Sequence, residues 1–160
     1  MVSASLLATA LAVLAPNGPA TPLATAKTLS KAYANSIATK NGAWLEKNTA
    51  PDFVYISIKG QRQTRAQAIA GMKGMFTAVK GAPKVHCKVV SARKAEGGLI
   101  FVQDTTIVGK ADFGKPAPST IESRTREEVL FVPKGKGWLA KRMKILRDST
   151  VIDGKTIGSS

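Results

Sequence analysis

The chain has 160 residues, 44% of them hydrophobic and 21% charged, which is enough for one domain with a sizeable core and too little for two ordinary ones. Lys and Arg number 24 against 10 Asp and Glu, a formal net charge of +14. No apolar run reaches the roughly 18 residues needed to span a membrane, and the single cysteine, Cys87, excludes both a disulfide within the chain and a metal site built on cysteine pairs.

Residues 1–26 contain no charged side chain and end in "LATA", with small residues at Ala24 and Ala26 spaced as a secretory peptidase requires. The segment reads as a signal peptide or a disordered leader, although it lacks the usual basic start. The secretory reading predicts a periplasmic or secreted protein whose mature chain begins near Lys27. From Lys27 to Lys47, Leu29, Tyr33 and Ile37, then Trp44 and Leu45 beyond an interruption at Gly42, give one apolar helical face, broken or bent at "NG".

"DFVYISIKG" follows Pro51 and alternates as a strand should, with Phe53, Tyr55 and Ser57 on one face and Val54, Ile56 and Ile58 on the other. In "TRAQAIAGMKGMFTAV", Thr64 is placed to cap a helix whose inner face carries Ile69, Met72, Met75, Phe76 and Val79. Beyond "KGAP" come four long alternating runs, separated by turns at "EGG", "ADFGKPAPS" and "KGKG". Helix, strand and helix followed by four hairpin-linked strands predict an α+β domain over residues 27–155, a curved antiparallel sheet wrapped around its helices, with residues 156–160 as a tail.

The basic residues are scattered along the chain and aromatics are only 6%, so no interleaved nucleic-acid surface is evident; a generally anion-attracting surface is the simpler reading. A nucleic-acid or anionic-surface partner would reveal itself by affinity that falls steeply with salt. His86, the only histidine, adjoins Cys87 in a strand, so the two point to opposite faces and cannot hold one ion together. Cys87 shares its face with Val85 and Val89, as a buried structural thiol does. No metal or cofactor is expected.

Among the acids, Asp104 lies mid-strand in "LIFVQDTTIV", on the face of Val102 and Thr106, where it is either desolvated or paired across the sheet. In "TIESRTREEVLF", Glu122, Arg124, Arg126 and Glu128 share one face; Ser123, Thr125, Glu127, Val129 and Phe131 share the other. The charged face is either a ladder of ion pairs on the open side of the sheet, with Lys141 or Arg142 as neighbours, or a polar lining in which Arg124 and Arg126 grip an anionic ligand beside Glu128. The lining is slightly favoured. A single bulge would exchange the inward and outward sets.

The order of helix one, "APDFVYIS", "AQAIAGM", three strands, "GKGWLAKRMKI" and "DSTVIDGK" resembles the nuclear transport factor 2-like superfamily, in particular its polyketide-cyclase-like branch, over Lys27 to Lys155. The resemblance implies a cone-shaped fold with a pocket between sheet and helices, often in a homodimer packed through the sheet. It does not select a function, because the fold serves isomerases, dehydratases, cyclases and proteins that only bind. Ketosteroid-isomerase-like members use a helix-one tyrosine and a first-strand acid. Aligned here, the tyrosine falls on Tyr33, but the acid falls on Ser57, which cannot take a proton near neutral pH unaided.

The expected function is therefore binding of a small organic molecule, anions included, without catalysis, with Tyr55, Ser57, Arg124 and Arg126 as ligand contacts. The competing expectation is a lyase or isomerase-type enzyme using Asp104 or Glu128 as acid or base, assisted by Tyr33 or Tyr55. A raised carboxylate inside an enclosed cavity would favour the enzyme, and solvent-exposed Asp104 and Glu128 would remove it.

Overall fold

A computed structural model describes residues 20–95 and 97–159. Helix α1 (Pro22–Ala38) starts where Thr21 accepts a hydrogen bond from the Ala24 N–H at 3.2 Å, with Pro22 at the first position, where a missing N–H costs nothing. The helix thus begins ahead of Lys27, the boundary expected from the sequence, and Ala26 is fully buried in the core. The rest of the expected leader, residues 1–19, lies outside the described residues. Leu29, Tyr33 and Ile37 form the expected inward stripe.

The chain breaks at Lys40, which takes a positive φ of 52°, and restarts as α2 (Gly42–Asn48), capped by the Asn41 side chain accepting from the Trp44 N–H at 3.0 Å. Next come β1 (Thr49–Ile56), β2 (Arg62–Thr64) and α3 (Arg65–Ala78). The α3 start is a reciprocal capping box between Thr64 and Gln67, and Ile69 and Phe76 bury its inner face. Four long strands complete the curve: β3 (Val79–Ala95), β4 (Gly98–Ala111), β5 (Ser119–Lys134) and β6 (Gly137–Ile152). Gly135, at φ 57°, allows the two-residue turn from β5 into β6.

The sheet order is β2-β1-β6-β5-β4-β3. It is mixed rather than wholly antiparallel: β1 lies beside β6 and runs parallel to it. The expected tail is also structured, since Lys155–Ser159 forms β7 against the end of β6. An α+β domain with a curved sheet holding its helices on one side is otherwise the predicted architecture.

The core falls into two clusters inside the cone. One joins Ala26, Phe53, Leu99, Phe101, Val129, Phe131 and Ala140; Phe101 and Phe131 stack with ring centroids 5.5 Å apart. The other joins Ile37, Leu45, Ile69 and Phe76. Two extra residues in β6, Lys141 and Leu146, interrupt its pairing with β5. The second has a direct consequence: Glu127 pairs with Ile145, but Thr125 pairs with Asp148, so the bulge at Leu146 turns Asp148 inward in place of Arg147.

Candidate functional site

The cone encloses a partly open cavity of about 390 Å³ between the inner face of β1, β4, β5 and β6 and the three helices, within the usual range for small-molecule sites. Its walls are mainly apolar, with Trp44, Phe53, Met72, Phe101, Phe131 and Met143 prominent. Met72 and Met75, read from the sequence as core filler, pack on the second cluster and also face the cavity. Polar side chains are few: Tyr33, Tyr55, Gln103, Thr105, Thr125, Glu127 and Asp148 carry most of the chemistry.

Alternation places these groups. On β4, Gln103 and Thr105 point inward and Asp104 outward; on β5, Thr125 and Glu127 point inward and Arg124, Arg126 and Glu128 outward. Glu127 and Gln103 are opposite partners in the ladder. Glu127 Oε1 accepts from Gln103 Nε2 at 2.5 Å and from Thr105 Oγ1 at 2.8 Å. Only 2% of Glu127 and 1% of Gln103 is exposed to solvent, and Gln103 Oε1 has no hydrogen-bond partner among the described residues.

Burial pushes the Glu127 carboxyl above the usual carboxylate range, and the hydrogen bonds from Gln103, Thr105 and Thr125 only partly oppose it. Burial, and after it the neighbouring Glu127, drive the Tyr33 phenol well upward. Tyr55 rises for the same first reason, with Asp148 the next cause and Glu127 after it. Cys87 faces inward and lies 3.4 Å from Thr105 Oγ1; desolvation raises its thiol to about 11. His86 is on the opposite, exposed face.

Of the residues expected as ligand contacts or catalytic groups, Tyr33 and Tyr55 line the cavity, and Ser57, Asp104, Arg124, Arg126 and Glu128 do not. Ser57 lies just past β1 in a turn, its hydroxyl accepting from the Gln61 N–H at 3.2 Å and its own N–H donating to Gln61 at 2.9 Å. Asp104 receives both arms of Arg126, at 2.6 and 2.8 Å, and this pairing lowers its pKa. Glu128 pairs with Arg142 at 3.0 Å and Arg124 with Glu122 at 2.5 Å. The charged face of β5 is thus the outer ion-paired ladder rather than the favoured pocket lining, and Asp104 and Glu128 are not placed for chemistry in the cone.

Two residues went unrecognised. Glu127 was passed over because it stands between charged Arg126 and Glu128, although the parity of Thr125, Val129 and Phe131 marks its face. Asp148 stands near the end of the last long run, and nothing in its local sequence announces the bulge that turns it inward.

The fold is that of nuclear transport factor 2-like proteins. An NTF2-like protein from Cytophaga hutchinsonii superposes with a TM-score of 0.58 at 14% identity, over 75% of this chain and 93% of that one. A protein provisionally assigned as a scytalone dehydratase, from Novosphingobium aromaticivorans, gives 0.64 at 14% identity over 81% and 85%. A ketosteroid isomerase-like protein from Erwinia carotovora gives 0.61 at 12% identity over 77% and 93%. At such identities the likeness concerns the fold alone. No protein-family profile matches the sequence, and no curated protein sequence is significantly similar to it.

Proposed function

We propose that this chain binds a small, largely apolar organic molecule inside its cone and performs no reaction on it. The observation that carries this reading is the cavity itself: about 390 Å³, walled by aromatic and methionine side chains, with a few convergent polar groups. The absence of catalysis is supported by Ser57 lying in a turn outside the cavity and by His86 facing away from it. The ligand is not expected to be an anion, because no Lys, Arg or His lines the cavity among the described residues.

The direct test uses prodan, a neutral naphthalene dye whose emission shifts to the blue in apolar surroundings. One saturable site per chain is expected, lost when Ala68→Trp or Met72→Trp fills the cavity in a folded variant. Absence of saturable binding, or binding indifferent to both substitutions, overturns the reading.

A second reading is favoured by one observation. Glu127 is a carboxylate with a raised pKa in an enclosed site, beside Tyr33, which is the setting of a general acid or base. On that reading turnover of a bound substrate would follow the ionisation of Glu127, and Glu127→Gln would abolish it while binding persisted.

Pairing of two copies through the outer face of the sheet is part of the proposal, supported by exposed Val90 and Leu146 at the bulges of β3 and β6. Sedimentation velocity tests it. Secretion is proposed from the uncharged start of the chain. Because Ala26 is buried, processing is expected ahead of Thr21, and N-terminal sequencing of exported protein checks the position. Among the described residues, no helix is long and apolar enough to cross a membrane.

A further inference from the structure

Resting on the reading of the cone as a small-molecule site, we propose that its ligand is an organic cation: a protonated amine with an aromatic or otherwise apolar body, its N–H groups received by Glu127 and Gln103. Three independent features point to a cation.

The first is charge. A chain with a formal net charge of +14 has walled its cavity with two carboxylates, Glu127 and Asp148, and no basic side chain among the described residues. Among the described residues, the titratable groups that feel Glu127 are Tyr33 from α1, Tyr55 from β1 and Cys87 from β3, Asp148 from β6 lines the same cavity, and the amide of Gln103 and the hydroxyl of Thr105 donate to Glu127. The repulsion a cation meets from the outer surface is screened beyond roughly 10 Å at 0.1 M salt, whereas a buried carboxylate is screened far less.

The second is hydrogen bonding. Gln103 commits its amide N–H to Glu127, which leaves its Oε1 buried and without a partner among the described residues, an arrangement that normally costs stability. Gln103 Oε1 thus keeps unused acceptor capacity, and both it and Glu127 belong to residues that line the cavity. An ammonium supplies up to three donors and no acceptor, so it satisfies both residues at once. A carboxylate or phosphate satisfies neither.

The third is the wall. Tyr33, Trp44, Phe53, Tyr55 and Phe101 line the space, and aromatic rings attract a desolvated cation as well as an apolar body. Entry of a positive charge also offsets the desolvation that holds the Glu127 carboxyl above its ordinary range.

The test is competition against bound prodan by three naphthalene compounds that differ in one terminal group: 2-(2-naphthyl)ethylammonium, 2-(2-naphthyl)ethanol and 2-naphthylacetate. At pH 8 the ammonium is expected to displace the dye at about a tenfold lower concentration than the alcohol, as one charge-assisted hydrogen bond allows, and the carboxylate is expected to be weakest. The preference should shrink toward parity as Glu127 protonates on acidification, and in Glu127→Gln; should that variant fail to fold, the pH series on the unaltered protein decides. An alcohol or carboxylate that competes as well as the ammonium, with prodan still bound in the cavity, overturns the cation proposal and leaves the binding site standing. Failure of prodan itself to bind overturns both.

Discussion

Arg126 and Glu127 are consecutive residues of β5 with opposite surroundings: the Arg126 guanidinium grips Asp104 on the outer face at 2.6 and 2.8 Å, and the Glu127 carboxylate accepts from Gln103 at 2.5 Å inside the cone. One step along a strand separates a solvated ion pair from a desolvated acid. The two carboxylates must therefore respond to pH with opposite sign.

Asp104 has a folded pKa below its unfolded one, so its contribution to stability is present above the unfolded value and is lost as pH falls through the folded one. Glu127 is raised, so folding is favoured with the proton on; that advantage is present below the unfolded value and is lost as pH rises through the folded one. Urea unfolding should show that Asp104→Asn lowers the midpoint slightly at pH 7, since the pair is only partly buried, and has no effect at strongly acidic pH, where Asp104 is protonated in both states. Glu127→Gln should gain on the unaltered protein as pH rises above the ordinary carboxylate range. Equal pH profiles for all three proteins would contradict both assignments.

The Phe101 and Phe131 rings, stacked at 5.5 Å, join β4 and β5 within the first core cluster, and Phe101 is 1% exposed. Phe101→Ala is expected to cost about 3–5 kcal/mol in equilibrium unfolding, because the cavity left behind adds to the lost burial. It should also weaken prodan binding, since Phe101 forms part of the site wall. A loss below about 1 kcal/mol would mean that the ring is not packed in the core as described.

Cys87 is turned inward beside Thr105, and its thiol is pushed up to about 11 from 9.0. Near neutral pH the native protein should hold roughly a hundredfold less thiolate than the unfolded chain and react with iodoacetamide correspondingly slowly. Labelling at equal rates before and after denaturation would place the thiol in water.

The elements were legible in the sequence because periodicity and caps announce them locally: Thr64 marks α3, the "NG" at Asn41 breaks the first helix, and alternation gives the four long strands. The inward set of β1 was legible too, through Phe53 and Tyr55. Pairing was not. That β1 lies parallel to β6 depends on contacts far apart in the chain, and β7 is too short and too polar to stand out.

The site was only half legible for a related reason. "SRTREE" carries a charged face, Arg124, Arg126 and Glu128, and a face with one acid, Glu127, and local sequence alone did not say which one the sheet would turn inward. Paired charge drew attention to Arg124, Arg126 and Glu128, whereas the lone acid on the apolar face, Glu127, was the one in the cavity. Asp148 depends on one unpaired residue, Leu146, whose bulge reverses the alternation of β6.

A co-crystal structure with 2-(2-naphthyl)ethylammonium measures most directly whether the inner face of the cone is the binding site. The naphthalene is expected among Trp44, Tyr55 and Phe101, with the nitrogen within hydrogen-bond distance of Glu127 and of Gln103 Oε1. The compound lying on the outer face against Asp104 or Glu128 would contradict the site, whereas a position inside the cone with the nitrogen turned away from Glu127 would contradict the cation reading alone.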